Sequence, residues 1–377
     1  MRAVQEALSA LPADLPGPPR YGSRSVAEVM SSAAASLGVP GFRDALGLPA
    51  ARRVVVVMVD GLGRAQLRAR AGHAPGLAGA QGLATLDAAF PTTTAASLAS
   101  LGTGAAPGAH GLVGYDVLDP DRDRVVNQLG GWDAAVDPRV WQPLPTVLER
   151  AAEHVDVVTV SRQRFAGSGL TDAALRGGRF VAAEGPAARV STALDQLAAG
   201  RDALMYFYWD ELDRTGHARG WESWEWTAQL EELDASLRRL VARVPAGTTV
   251  LVTGDHGMVD VPRDARVDFS ELPGCWTVSG TRPASPAPCS CTWSRTRRRR
   301  TSGRSWPPGG SSSGPACGSS PGRPPSTPAT SVRRRSCATR CAGASATSSC
   351  WGGSPWRCST WAGSARASCP WSASTAR

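Results

Sequence analysis

The chain has 377 residues, 42% of them hydrophobic and 19% charged, enough for one large domain or two and unlike a chain that stays unfolded. All 41 basic residues are arginine, 15 of them after position 274, whereas the last acidic residue is Glu271 and all nine cysteines lie at or after Cys275. The net charge of +9 therefore belongs to the C-terminal stretch and argues for no electrostatic partner of the body, which carries 26 basic and 32 acidic residues.

The N-terminus has an early acid, Glu6, and no apolar run of signal-peptide length. No stretch approaches the roughly 20 apolar residues that span a bilayer. With a cysteine-free body, these features predict a cytoplasmic protein without a membrane partner. Residues 1–24, with Pro12, Pro16, Pro18 and Pro19, read as an extended lead-in to a catalytic domain over 25–275. Ser25 to Leu37 has helical spacing, stopped by Gly38-Val39-Pro40-Gly41. Val54–Val59, six apolar residues of which five are valine, predicts a strand buried on both faces of a parallel sheet. Asp60 stands at its carboxyl end, followed by Gly61 and Gly63. A dinucleotide fingerprint is excluded because Gln66 occupies the third glycine position.

Thr92-Thr93-Thr94 leads into a small-residue helix over Ala95–Leu101, and Gly104–Gly114 reads as a glycine-punctuated loop. Pro145–His154 reads as a helix, Val155–Val160 as a second strand and Ala203–Trp209 as a third, which runs into Asp210, Asp213 and His217. A long amphipathic helix follows over Trp226–Val244. Thr248–Thr253 is a fourth strand, ending in Gly254-Asp255-His256-Gly257. Strands alternating with helices predict an α/β fold with a largely parallel sheet.

Three strands thus end in Asp or Asp/His groups: Asp60; Asp213 with His217; Asp255 with His256. Singly, each has a plain structural explanation as a helix cap or a solvated loop pair. Together, at one sheet edge, carboxylates and imidazoles are what zinc or another borderline divalent ion takes as ligands. The threonine hydroxyls offer a nucleophile if a base or a metal removes the proton, and the helix after them favours a phosphate's charge. The plain alternative for the threonines is an N-cap.

Val59-Asp60-Gly61 after an apolar strand, Phe90-Pro91-Thr92-Thr93-Thr94 running on to Thr103–Gly111, Asp213 with His217, and Gly254-Asp255-His256-Gly257-Met258 come in one order. In these motifs residues 45–262 resemble the type I phosphodiesterase/nucleotide pyrophosphatase branch of the alkaline phosphatase superfamily. The resemblance implies a three-layer α/β/α sandwich holding two divalent metal ions, zinc first among them. It implies a small phosphoester substrate, a nucleotide among the candidates, attacked by Thr94, with Thr92 the second choice. One ion would be held by Asp60, Thr94, Asp255 and His256, and the other by Asp213, His217 and a later histidine. Tyr115 stands where many members carry a phosphoryl-contacting asparagine, His110 braces its loop, and Asp210 lies behind the ligands. Phosphomonoesterase or phosphomutase chemistry is the rival within the superfamily.

The chain departs from the family beyond Gly280. Its histidines are His73, His110, His154, His217 and His256, so the distal ligand is missing. Residues 281–377 contain six tryptophans and eight cysteines, with no acidic residue. A basic tail for nucleic acid, on a catalytically impaired scaffold, is the weaker reading of this stretch. Its residue types are those that GC-rich triplets encode out of frame, and we read it as an out-of-frame, irregular segment without a packed core.

Overall fold

The computed structural model describes residues 17–82 and 84–262, together with two three-residue strands further on. The first strand, β1, is Arg53–Val59, and every residue in it is buried. A hairpin follows, β2 (Asp116–Asp119) and β3 (Arg124–Asn127), turning through Asp123 at a φ of +50°. Then come β4 (Asp156–Ser161), β5 (Arg179–Ala182), β6 (Ala203–Trp209) and β7 (Thr248–Gly254). Five strands form one sheet in the order β5-β4-β6-β1-β7, and all four pairings are parallel. Far downstream, β8 (Ser349–Trp351) and β9 (Arg357–Ser359) form a separate antiparallel pair. Otherwise the out-of-frame, unpacked reading of 281–377 lies outside the described residues, as does most of the extended lead-in.

Side chains alternate across a strand, and β1 shows why both of its faces had to be apolar. Val54, Val56 and Met58 join one core with Leu204, Tyr206 and Tyr208 of β6; Val55, Val57 and Val59 join a second core with Met205, Phe207 and Trp209. The first core is closed by the helices Ala27–Ser36 and Thr94–Thr103, and the second by Pro186–Leu197 and Trp224–Val241. The result is the α/β/α sandwich expected from the sequence. Leu230, Leu233, Leu237 and Leu240 give the long helix its apolar stripe, and all are buried.

Register places the chemistry. Val59 pairs with Trp209 on one side and with Gly254 on the other. Asp60, Asp210 and Asp255, each the next residue in its strand, therefore leave the sheet at one level and one edge. β7 is an outer strand among the described residues, and its Val252 is 38% exposed.

The predicted strands are all present, and the predicted helix at Pro145–His154 is shorter, Val147–Ala151, opened by a Thr146–Glu149 capping box. The sequence reading missed the β2–β3 hairpin, the short β5, and the helices Pro186–Leu197 and Glu211–Arg219. The last of these corrects one detail: Asp213 and His217 lie on one helix face, not in a loop. Among the described residues, no helix is long and apolar enough to cross a membrane.

Gly102 marks the tightest helix crossing on the first face, since a Cβ there would come within 1.8 Å of the Ala174 carbonyl oxygen. Gly102→Ala is expected to destabilise the fold by about 1–3 kcal/mol through overpacking. Urea denaturation checks this, and an unchanged midpoint would contradict the packing described.

Candidate active site

Asp60 is the first residue past β1. Its N–H still donates to the Trp209 carbonyl at 2.8 Å, completing the ladder, after which Gly61 turns the chain at a φ of +76°. That glycine is required twice, because a Cβ there would also meet the Asp213 backbone at 3.0 Å. The Gly61 N–H donates to Asp255 Oδ1 at 3.1 Å, tying the ends of β1 and β7 together. Gly63, not Asp60, caps the following helix Arg64–Ala69, so the capping explanation of Asp60 fails. No helix follows Asp255-His256 among the described residues either.

Asp60, Asp255 and His256 are all buried, and one ligand atom of each lies within 4.8 Å of the others. His256 Nε2 is 3.3 Å from Asp60 Oδ1 and 3.5 Å from Asp255 Oδ2. Its Nδ1 is 2.9 Å from the Gly257 carbonyl. An Nδ1–H donating there leaves the Nε2 lone pair facing the carboxylates, as in a metal-binding histidine. Thr94 Oγ1 lies 3.1 Å from this Nε2 and 3.4 Å from Asp60 Oδ1. The neighbouring Thr93 is the N-cap of the helix, accepting from the Ala96 N–H at 3.3 Å. The N-cap reading is thus realised at Thr93, while Thr94 is the threonine whose hydroxyl faces the cluster; Thr92 makes neither contact.

Electrostatically the cluster is under strain. Burial and the nearby carboxylates of Asp255 and Asp213 push the Asp60 carboxyl well above its ordinary range. Burial works against a charged His256, yet Asp255 and Asp213 outweigh it and hold the imidazole above its usual value. Asp255 Oδ2 is buried and accepts no hydrogen bond. An excess of buried negative charge with an orphaned carboxylate oxygen, beside an imidazole nitrogen, fits a divalent cation. The second pair stands beside it, with His217 Nε2 3.2 Å from Asp213 Oδ1, and is more open, since the His217 side chain is 39% exposed. It is not part of the 4.8 Å group.

Three other candidates sort differently. Asp210 is spoken for by arginines: Arg162 Nε donates to it at 2.8 Å and Arg164 Nη2 at 2.6 Å. His110 is buried, its Nδ1 accepting from the Leu112 N–H at 3.1 Å and its Nε2 lying 3.0 Å from Ser100 Oγ, so it braces the loop. Tyr115 lies beside the β2–β3 hairpin, its carbonyl accepting from Gln128 N–H at 2.7 Å. Sequence reasoning missed Tyr208, whose buried hydroxyl donates to Asp60 Oδ2. A polar-tipped aromatic one residue before a strand end was the available signal. It also missed Ser97, whose hydroxyl donates at 2.7 Å to the Asp255 carbonyl and so pins the helix to the end of β7.

A doubly covered parallel sheet with a carboxylate and imidazole cluster at its carboxyl edge defines an α/β protein with a candidate ligand-binding site where such folds place one. The family model for type I phosphodiesterase / nucleotide pyrophosphatase matches residues 54–273. That match takes in more than half of the chain, which therefore belongs to this family. Among solved structures the chain resembles murine ectonucleotide pyrophosphatase/phosphodiesterase 5, with 18% identity over 58% of this chain and 60% of that one, and a TM-score of 0.44. An inactive form of the same murine protein in complex with AMP matches equally. Phosphonoacetate hydrolase from Sinorhizobium meliloti, in complex with phosphonoacetate, shows 20% identity over 58% of this chain and 60% of that one, with a TM-score of 0.45. The chain thus spans about 60% of the length of the solved proteins it matches.

His110 yields a prediction about acid stability. Burial pushes its imidazole from the usual 6.5 down to about 3. Above pH 6.5 both folded and unfolded states hold it neutral; as pH falls towards 3, the unfolded state takes a proton that the folded state refuses. Stability contributed by this group is therefore lost across that window, by about 1.4 kcal/mol per pH unit. His110→Gln should lower stability at neutral pH, through the lost loop bonds, and flatten the acid slope by about one proton. Urea unfolding at several pH values checks this, and an unchanged slope would contradict it.

Proposed function

We propose that this chain is a metal-dependent hydrolase of phosphodiester or pyrophosphate bonds with Thr94 as its nucleophile. The observation that carries the reading is the position of Thr94 Oγ1, 3.1 Å from His256 Nε2 and 3.4 Å from Asp60 Oδ1 at the start of the helix Thr94–Thr103. Family membership supports the reaction class. Asp60, Asp255 and His256, with Thr94, would hold one divalent ion, and Asp213 with His217 would contribute to a second. When bound, such ions supply Lewis-acid stabilisation of a phosphoryl group and lower the pKa of a coordinated hydroxyl or water.

The chain's own residues do the rest. The helix beginning at Thr94 would favour a phosphate at its start through the positive end of its dipole. Tyr208 and the Gly61 N–H fix the two carboxylates by hydrogen bonds. The Gly257 carbonyl fixes the imidazole tautomer. Thr94 attacks phosphorus as the bond to the in-line leaving oxygen breaks, its proton passing through a neighbouring base to the departing group; water then cleaves the phosphothreonine, releasing the phosphoryl product and restoring the threonine hydroxyl. Of the family's chemistries we favour diesters and pyrophosphates over monoesters, and relative rates on chromogenic monoester and diester substrates decide between them.

One feature of the sequence points to impaired activity. No histidine follows His256 in this sequence, and among the described residues the Asp213/His217 pair offers two protein ligands where a catalytic zinc ordinarily has three. Weak retention of the second ion and low turnover follow from this reading.

Thr94→Ala is expected to abolish turnover of a chromogenic phosphodiester in added zinc while leaving metal content nearly unchanged. Should Thr92→Ala be the inactive variant instead, the nucleophile has been misassigned. Separately, Asp255→Asn should lower bound zinc by about one ion per chain, read by native mass spectrometry, because it removes a ligand from a single site. Full retention of zinc would remove Asp255 from the ligand set.

A further inference from the structure

A second feature lies at the same edge of the sheet. A cavity of about 510 Å³ is lined by Arg20, Arg64, Arg68, Thr85 and Asp87, with Gly17 and Pro18 at its rim. Its walls are continuous with the segments that deliver the catalytic cluster. Arg64 opens the helix Arg64–Ala69, four residues after Asp60, and Thr85 and Asp87 lie on the stretch that reaches Thr94.

The charges in this cavity do not balance. Arg20 pairs with Asp87: its Nε donates to Oδ2 at 2.7 Å and its Nη2 to Oδ1 at 2.9 Å, with its backbone N–H also on Oδ2 at 2.9 Å. Arg64 and Arg68, one helical turn apart on one face, have no carboxylate partner among the described residues. Arg64 Nη1 is moreover buried and without a hydrogen-bond partner. Arg64 is thus partly buried with no described anion to offset the cost. Two guanidiniums beside one space match an oxyanion, and two positive charges favour a dianion of the phosphate type; Thr85 lines the same space.

We infer that Arg64 and Arg68, with Thr85, form an anion site for a phosphate-type dianion, distinct from the Asp/His cluster. That chemistry is shared by the terminal phosphoryl group of a substrate reacting at Thr94 and by free inorganic phosphate. Anion binding stands on the cavity and its unpaired arginines; only its use by a substrate rests on the hydrolase reading.

The test is titration of inorganic phosphate into the full chain by calorimetry, with and without a chelator. With chelator present the catalytic carboxylates repel anions, so the remaining binding reports the arginine site. Binding that survives chelation and weakens about tenfold or more in Arg64→Gln/Arg68→Gln supports the site. Folded double variant, by circular dichroism, with wild-type affinity overturns it, as does the absence of chelator-resistant binding in the wild type. If the double variant does not fold, Arg68→Gln alone is used: this residue is exposed, and the same two outcomes apply to it. A second arm compares KM for two diesters that differ only in a terminal phosphate. A KM advantage for the phosphate-bearing diester that disappears in the variant assigns the site to substrate. Equal KM values with retained phosphate binding assign it to free phosphate. Thr94→Ala should leave calorimetric binding intact, so loss of activity there and loss of anion binding here remain separate results.

Discussion

Like charges at the end of a parallel sheet are the constraint on which the rest of this structure depends. Identical register on both sides of β1 brings Asp60 and Asp255 to one level, with Asp213 against the Gly61 turn. In a low-dielectric setting such carboxylates repel one another strongly. The fold holds them there by satisfying them only in part, through Tyr208, the Gly61 N–H and the His256 N–H, and it leaves one Asp255 oxygen bare. An arrangement of this kind costs folding energy unless a cation completes it, which is the usual bargain at a functional site.

The same edge shows the opposite treatment one strand away. Asp210 and Glu211, at the end of β6, are buried like Asp60 but are neutralised within the protein. Arg162 donates to both, at 2.8 and 2.6 Å, and the fully buried Arg189 donates to Glu211 at 2.6 Å. These contacts lower the Glu211 carboxyl although burial works to raise it. They also anchor the first turn of the helix Glu211–Arg219, and with it Asp213 and His217. Neighbouring acidic residues in one strand-end cluster are thus separated into an internally paired set and an open set. The open set is the one that faces Thr94.

Much of the fold was legible because its signals are local. The valine run of β1 could be stable only when covered on both faces, and Leu230 to Leu240 repeat at helical spacing. The missed elements had weak local signals. β5 is four residues long and only partly buried, and it lies directly after Gly177-Gly178. The helix Glu211–Arg219 is mostly polar, held by the arginine network and by packing against Trp224–Val241 rather than by an apolar stripe of its own. In the site, residue types and strand-end placement pointed to Asp60, Asp255 and His256. Tyr208 was hidden because a tyrosine in a buried strand reads as core until its hydroxyl is seen to reach a carboxylate.

The sequence by itself determined the two-faced sheet, the strand ends at which chemistry could occur, and the family to which the motifs belong, because period, apolar runs and motif order are properties of neighbouring residues. Only the tertiary structure decided which acid was open and which was paired, that Thr93 caps the helix while Thr94 faces His256, and that Arg64 and Arg68 share a cavity whose one described acid, Asp87, pairs with Arg20. Those outcomes depend on strand register and on side chains far apart in the chain, such as Asp60 with Asp255 and Arg162 with Glu211. Distances of that kind are fixed by packing, which no local pattern encodes.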